Sequence, residues 1–244
     1  MKIYFRRLGA ETKAAFDVNA VNYLGDDIHR GEDLQEINLC LAQASARLGR
    51  QVDILYVGVG PGHLATRLVE SSADIRSIHC LDYSGRMLAL ARTSLGDCGV
   101  ARLVQQDLFD RDLRRRRRQS FDVCLLLNNT LGNMVAAEGP VEARVRCLEV
   151  LHEVLRPGGS CVLTVYDFQK LEGLNGSYTP KLKILEKTGD GDFILKLAAN
   201  GHSHLFYSHW FTERELHGLV ESAGFRICAE ARRGQRLIVV CERT

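Results

Sequence analysis

A short apolar run that ends in a glycine turn constrains this chain more than any other feature. Residues 52–57 read Val-Asp-Ile-Leu-Tyr-Val, and Gly58-x-Gly60-x-Gly62 follows directly. A carboxylate, Asp82, comes twenty residues after the last glycine, where the next predicted strand ends. An open α/β sheet holds a nucleoside ligand with this order of strand, glycine turn, helix and acid. Glycine lets the backbone approach the ligand, and the carboxylate accepts hydrogen bonds from ribose hydroxyls.

Alternating strands and helices extend this unit along most of the chain. The predicted helices are 10–24, 32–48, 62–70, 84–95, 138–155 and 212–222, and the predicted strands are 52–57, 75–81, 101–105, 121–127, 160–166, 225–230 and 237–241. Arg156-Pro157-Gly158-Gly159 is expected to stop the helix before the fifth strand. The pattern predicts an α/β fold: a doubly wound, Rossmann-like, mainly parallel seven-stranded sheet that ends in an antiparallel hairpin.

Two segments lie outside the alternation. Residues 1–48 form an N-terminal helical lid, and residues 168–210 form an insertion after strand five with strand-like pieces at 181–186 and 193–198. The insertion begins at the edge where α/β sheets bind ligands, so we expect it to line or cover the pocket. With no linker and no internal repeat, residues 1–244 are predicted to be one domain.

Composition excludes several classes of protein. The formal net charge is only +2, which gives no reason to expect nucleic-acid or membrane binding. No apolar run approaches the roughly 18–20 residues that a membrane span needs, and the N-terminus lacks signal-peptide features. Four cysteines lie in apolar strand-like runs, which indicates buried free thiols and a cytoplasmic location. They are Cys80, Cys124, Cys161 and Cys241.

The arginine run 114–118 and the histidines of the insertion each have a functional and a structural interpretation. The arginines are the residues from which phosphate contacts are built, but acidic neighbours and the lack of an adjacent aromatic side chain favour a solvated connection. The histidines are not predicted to bind metal, because no Cys, Asp or Glu lies among them. The aromatic residues beside them serve equally well as a substrate wall or as the core of a lid. This group is His202, His204, Phe206, Tyr207, His209 and Trp210.

The ordered set of motifs resembles class I S-adenosylmethionine-dependent methyltransferases. It comprises the glycine turn, Leu81-Asp82-Tyr83-Ser84-x-x-Met87-Leu88, Asp107, Asn128 and Pro157-Gly158-Gly159. The resemblance implies S-adenosylmethionine as the cofactor, with its methionine part against the turn, its ribose on Asp82 and its adenine amino group on Asp107. Tyr83, Asn128 and the backbone N–H of Leu108 complete the cofactor-binding residues that it implies.

Further segments resemble glycine and sarcosine N-methyltransferases. Tyr23-x-Gly25-Asp26-x-x-x-Arg30 and Leu127-Asn128-Asn129-Thr130 carry this likeness. It implies that Tyr23 and Arg30 hold the methionine carboxylate, a role that suits a guanidinium fork. Two positions depart from the family: Tyr56 replaces an acid in the first strand, and Tyr166 replaces the arginine that grips the substrate carboxylate. Glycine is therefore not the expected substrate.

Three hypotheses follow. The first is methylation of a small-molecule acceptor by in-line displacement, with Tyr166, Tyr207, His209 and Asn129 positioning the nucleophile or taking its proton. The second is cyclisation of the cofactor itself to azetidine-2-carboxylate and methylthioadenosine, which Tyr56 and Tyr166 would suit. The third is a non-catalytic cofactor-binding or RNA-binding module. The acceptor, the alkylated atom and the oligomeric state, a homodimer included, stay open.

Overall fold

The chain forms two sheets surrounded by helices. The computed structural model describes residues 2–20, 34–170, 177–179, 182–187, 190–199 and 202–244. The helices are α1 (Lys2–Asn19), α2 (Leu34–Leu48), α3 (His63–Ser71), α4 (Gly85–Leu95), α5 (Arg111–Arg117), α6 (Pro140–Val154) and α7 (Glu213–Ser222). The strands are β1 (Val52–Val57), β2 (Ile75–Asp82), β3 (Ala101–Gln105), β4 (Phe121–Leu126), β5 (Leu155–Tyr166), β6 (Ser177–Thr179), β7 (Leu182–Lys187), β8 (Asp192–Ala199), β9 (His202–His209), β10 (Phe225–Arg233) and β11 (Arg236–Arg243).

The larger sheet, which we call the main sheet, has seven strands in the order β10-β11-β5-β4-β1-β2-β3. Strands β1 to β5 are parallel, whereas β11 runs antiparallel to β5 and β10 antiparallel to β11. The predicted fold class is thereby confirmed. The strand order reverses between β1 and β4, so the ligand crevice of such a sheet is expected where these two strands end.

Strand β1 is buried on both faces because successive side chains of a strand point in opposite directions. Leu55 and Val57 pack in the core cluster that includes side chains of α6 and α7. Ile54 and Tyr56 pack in the cluster that includes side chains of α2, α3 and α4. Tyr56, only 1% exposed, is therefore part of the core beneath the second layer of helices.

The smaller sheet, which we call the second sheet, is formed by the insertion. Its four antiparallel strands have the order β6-β7-β8-β9, and two of them, β7 and β8, correspond to the predicted pieces. Helix α1 packs on this sheet with Leu8, Thr12 and Ala15, which are spaced to share one face and are all buried. The hydroxyl of Thr12 accepts a hydrogen bond from the backbone N–H of Tyr207 at 3.1 Å.

Three predicted elements were wrong in extent or kind. The first helix was predicted over 10–24 but begins at Lys2. Its buried face includes Leu8, so the helix continues through Gly9, a residue that often ends helices. Strand β5 begins at Leu155 rather than at 160: Leu155 pairs with Phe121, and a bulge that includes Gly158 absorbs the extra residues. The polar connection before β4 contains helix α5, which Asp110 caps and Leu113 anchors.

Burial of the cysteines agrees with the sequence. Cys80, Cys124, Cys161 and Cys241 are each 0% exposed within strands of the main sheet. Burial raises the pKa of the Cys80 thiol to about 12, which keeps it protonated and unreactive. Among the helices that the structure describes, none combines the length and the hydropathy needed to cross a membrane.

Candidate functional site

The glycine turn after β1 is joined to the end of β2 by hydrogen bonds between backbone and carboxylate. The backbone N–H of Gly60 donates to Asp82 Oδ2 at 3.0 Å, and that of Ser84 donates to Asp82 Oδ1 at 2.9 Å. The N–H of Gly58 donates to the carbonyl of Leu81 at 2.8 Å. Burial raises the pKa of the Asp82 carboxyl, and the backbone hydrogen bonds oppose this rise. The turn and the predicted ribose-binding acid therefore form one rigid unit.

The three glycines of the turn have different surroundings. A Cβ at Gly58 would lie 2.8 Å from Thr130 Cγ2, and one at Gly62 would lie 2.8 Å from Ala91 Cα. A Cβ at Gly60 would meet no described atom within 4 Å, although its φ of +58° also favours glycine. Gly58 and Gly62 thus allow close packing of the turn on its neighbours, and Gly60 borders open space beside Asp82.

Asp107, the predicted adenine-binding acid, lies just beyond β3 and contacts helix α1. Its Oδ1 accepts a hydrogen bond from the N–H of Phe109 at 3.0 Å, and its Oδ2 forms an ion pair with Lys13. The Lys13 ammonium also lies 5.3 Å from the centre of the Tyr83 ring. The next residue, Leu108, is buried in the core.

Helix α1 was predicted only as part of a lid, and its contacts with these residues were not anticipated. Besides Lys13, Phe16 packs its ring edge-on to Tyr83 with 6.5 Å between centroids. Asp17 Oδ1 accepts a hydrogen bond from Ser84 Oγ at 2.6 Å. The sequence signal was the spacing i, i+3 and i+4, which places three such residues on one helical face. Tyr23 and Arg30 lie outside the described residues, so their role stays a prediction.

The loop after β4 contains two consecutive left-handed residues. Asn128 and Asn129 have φ values of +54° and +60°, which asparagine tolerates better than most residues. The backbone N–H of Asn128 donates to Thr164 Oγ1 at 2.7 Å, and that of Asn129 donates to the Thr164 carbonyl at 2.9 Å. Asn128 is half-buried at the crevice between β1 and β4.

The side chain of Asn129 joins three segments of the chain. Its Oδ1 accepts a hydrogen bond from the N–H of Tyr166 at 3.1 Å. Its Nδ2 donates to Ser208 Oγ at 3.2 Å and to the carbonyl of His209 at 3.1 Å. With 1% exposure, Asn129 ties the loop after β4 to the end of β5 and to the second sheet.

The aromatic residues of the insertion form the core of the second sheet. Trp210 is 1% and Phe206 is 7% exposed, and both pack with Phe193 and Leu195. Tyr166 is half-buried at the end of β5, with its ring centre 5.0 Å from that of Trp210. The sequence left open whether these aromatic residues line a substrate or form a core. Trp210 and Phe206 lie in a core.

Tyr207 and His209 belong to a buried polar network. The Tyr207 hydroxyl donates to Asp192 and accepts from Arg144 Nη1 at 2.9 Å. His209 Nδ1 lies 2.7 Å from Asp192 Oδ1, and its Nε2 lies 2.8 Å from Glu215 Oε1. Arg144 is 3% exposed, and Tyr207 and His209 are each 2% exposed. The network therefore links α6, β8, β9 and α7.

The pKa values within this network shift in opposite directions. Burial lowers the pKa of His209, but its hydrogen bonds to Asp192 and Glu215 outweigh burial and leave the pKa raised. Burial raises the pKa of Asp192, but hydrogen bonds from His209 and Tyr207 leave it lowered. Both shifts favour an imidazolium paired with a carboxylate.

The arginine run lies in α5 and its C-terminal end. Arg114 forms an ion pair with Glu153, and Arg115 and Arg116 lie 3.8 and 3.5 Å from carboxylate oxygens of Asp112. Each of the three arginines thus has an acidic partner. These contacts account for Arg114, Arg115 and Arg116, and the run lies largely in a helix where the sequence predicted a solvated connection.

Another group of ligand-type side chains lies between α7 and β10. Glu213, His217 and Glu230 have potential ligand atoms within 4.8 Å of one another and line a cleft of about 210 Å³. Glu213 forms an ion pair with Arg232, and His217 Nε2 lies 3.0 Å from Glu230 Oε1. The ion pairs account for the arrangement of this cluster.

The main sheet and the glycine turn form an α/β fold with a candidate ligand site, and comparisons with known proteins show what the chain is similar to. Residues 55–161 match the family model described as "Methyltransferase domain". No curated protein matches the chain in sequence. The matched segment contains the glycine turn, Asp82 and Asp107, so this part of the chain is similar to a methyltransferase domain.

Solved structures of methyltransferases share its fold at low sequence identity. An S-adenosylmethionine-dependent methyltransferase from Clostridium acetobutylicum is 13% identical with a TM-score of 0.66, covering 92% of this chain and 98% of its own. The CcbJ methyltransferase from Streptomyces caelestis is 19% identical with a TM-score of 0.65, covering 95% and 98%. The 1,6-didemethyltoxoflavin-N1-methyltransferase from Burkholderia thailandensis is 20% identical with a TM-score of 0.52, covering 93% and 88%.

Proposed function

We propose that this protein transfers the methyl group of S-adenosylmethionine to a small-molecule acceptor. The observation that carries the proposal is the hydrogen bond from Gly60 to Asp82, which joins the turn after β1 to the end of β2, next to the reversal of strand order between β1 and β4. A buried carboxylate held beside an open glycine turn suits a ribose, whose two hydroxyls need an acceptor.

The residues beside this turn fit the cofactor. Open space beside Gly60 leaves room for the methionine part, and Gly58 and Gly62 shape the turn. The partly exposed ring of Tyr83 offers a face for adenine, with Asp107 and the N–H of Leu108 at its polar edge and Asn128 on the side of the reacting group. Tyr23 and Arg30 remain the proposed partners of the methionine carboxylate.

The cofactor supplies a methyl group that is already activated, so the protein has to align the acceptor and exclude water. Tyr166 is the residue that we propose contacts the acceptor, because it is half-buried at the end of β5 beside the crevice. Asn129, Tyr207 and His209 are buried and hydrogen-bonded. We therefore revise their proposed role from contact with the nucleophile to positioning of Tyr166 and of the second sheet.

A small-molecule acceptor is supported by one of the structural neighbours. The Burkholderia thailandensis enzyme was crystallised with 1,6-didemethyltoxoflavin and S-adenosylhomocysteine bound. The acid partners of the arginine run also reduce its suitability for phosphate contacts. The cyclase alternative rested on the lack of an acid at Tyr56 and of an arginine at Tyr166, and Tyr56 lies in the core beneath α2.

The test is incubation of the purified protein with S-adenosylmethionine and a panel of metabolites, followed by mass spectrometry. We expect S-adenosylhomocysteine together with one methylated product. Asp82→Asn is the control variant, because it keeps the size of the side chain and removes the charge that favours the ribose hydroxyls. Methylthioadenosine formed without any acceptor would instead support the cyclase, and cofactor binding without turnover would contradict both reactions.

A further inference from the structure

Helix α1 presents one face to the residues that flank the proposed adenosine pocket. Lys13 pairs with Asp107 and lies 5.3 Å from the centre of the Tyr83 ring. One turn further on, Phe16 packs against the same ring, and Asp17 accepts the hydrogen bond from Ser84. The contacts of this face thus fall on the segments that follow β2 and β3.

The other face of α1 fixes the helix in place. Leu8 and Ala15 are 5% and 2% exposed in contact with the second sheet, and Thr12 accepts the N–H of Tyr207 at 3.1 Å. Because contacts on both faces hold α1 in place, this helix forms part of the wall of the proposed pocket. The fold therefore fixes the backbone position of Lys13, and the ion pair with Asp107 holds its ammonium.

The chemistry of the Lys13–Asp107 pair matches one edge of adenine. Asp107 Oδ1 accepts the hydrogen bond from the N–H of Phe109. Its Oδ2 and the Lys13 ammonium therefore offer a ligand one hydrogen-bond acceptor next to one donor. The edge of adenine that carries N6 and N7 presents a donor next to an acceptor. The ring of Tyr83, close to the same ammonium, supplies a flat surface on which a base can stack.

We infer that Lys13 is a cofactor-binding residue contributed by α1, whose ammonium donates to N7 of adenine while Asp107 accepts from the 6-amino group. The inference rests on the proposed function, because it takes the pocket to bind S-adenosylmethionine. It assigns α1 to the adenosine end of the site, in addition to any role of this helix as a lid over the acceptor.

The test measures binding by calorimetry and does not depend on turnover. The ligands are S-adenosylhomocysteine, methylthioadenosine and the 7-deaza analogue of S-adenosylhomocysteine, which lacks the N7 acceptor. The variants are Lys13→Met, Lys13→Arg and the matched control Lys2→Met, which removes a lysine from the same helix about 16 Å away along its axis. Thermal unfolding of each ligand-free variant verifies that the fold is retained.

For Lys13→Met we expect affinity for both adenine ligands to fall about tenfold, the size of one charge-assisted hydrogen bond. Lys2→Met should match the wild type. The wild type should discriminate against the 7-deaza analogue by a similar factor, Lys13→Arg should retain that discrimination, and Lys13→Met should lose it. Unchanged or tighter binding by Lys13→Met, or equal discrimination by all proteins, overturns the inference. Failure of the wild type to bind any of the ligands would overturn the proposed function itself.

Discussion

The two sheets hold their functional residues in different ways. At the carboxyl edge of the main sheet, the contacts are made by backbone groups of the turn and the following strand, such as Gly60 with Asp82. In the second sheet, the contacts are made by polar and charged side chains that the fold brings together, such as Arg144 with Tyr207 and His209 with Asp192. The first region therefore depends on backbone conformation, and the second on charge.

Removing the charge of Arg144 should have the largest effect on stability, because Asp192 and Tyr207 would then lack the buried guanidinium that faces them. For Arg144→Met we expect a loss of about 3–5 kcal/mol in the free energy of unfolding, measured with urea. Arg146→Met is the control on the same helix, since Arg146 is less buried and donates to the carbonyl of Phe109. Equal losses in the two variants would contradict the assignment of the network to stability.

Gly62→Ala tests the backbone-dependent region. Residue 62 has a φ of +86°, and the new Cβ would lie 2.8 Å from Ala91 Cα. We expect overpacking and backbone strain together to lower the free energy of unfolding by about 2–4 kcal/mol. Gly49→Ala, at a φ of +63° with no described atom near its Cβ, keeps a positive φ without the contact and should lower the free energy of unfolding by about 1 kcal/mol. Gly218→Ala, in helix α7 with no described atom near its Cβ, should be neutral or stabilising. If all three variants lose the same stability, close packing of the turn is not what limits this position.

The charge-dependent region should also respond to pH. The folded-state pKa of His209 is raised above the unfolded value of about 6.5. The contribution of His209 to the free energy of unfolding is therefore fully present below about pH 6.5, and it is lost as the pH rises through the folded-state pKa. His209→Gln should be destabilised by about 1–3 kcal/mol at pH 6, and the difference from the wild type should narrow at higher pH. A difference that stays constant across this range, measured by urea unfolding, would show that His209 is not charged in the folded protein.

The smallest effect is expected from the arginine run, which belongs to neither region. Arg115→Ser and Arg116→Ser remove exposed ion pairs with Asp112 and should change stability by no more than about 0.5 kcal/mol. Affinity for S-adenosylhomocysteine should be unchanged. Filter binding with RNA at low and moderate salt tests the remaining hypothesis: strong binding that both variants abolish would point to a nucleic-acid partner.

The sequence predicted the backbone-dependent region well because its signals are local. Gly58-x-Gly60-x-Gly62 and Asp82 lie close in sequence, and strand, turn and helix follow from spacing alone. The parallel sheet with its hairpin followed from the alternation of elements. The single-domain organisation and the cytoplasmic location stay predictions.

The charge-dependent region could not be predicted in the same way. Arg144 reads as one more polar residue of an amphipathic helix, and only the fold brings it to Asp192 and Tyr207. His209 was singled out, yet its two carboxylate partners lie on β8 and α7. Lys13 and Asp107 are 94 residues apart, a separation at which spacing carries no information about contact.

The pair Asn128 and Asn129 restricts which amino acids the loop after β4 accepts. Two adjacent left-handed residues favour glycine, asparagine and aspartate at each position. At 128 the hydrogen bond to Thr164 Oγ1 is made by the backbone N–H, so all three can serve the fold. At 129 the side chain must also donate and accept at the same time, which leaves asparagine alone. In a saturation library of this loop, we therefore expect glycine, asparagine and aspartate at position 128 and asparagine alone at position 129.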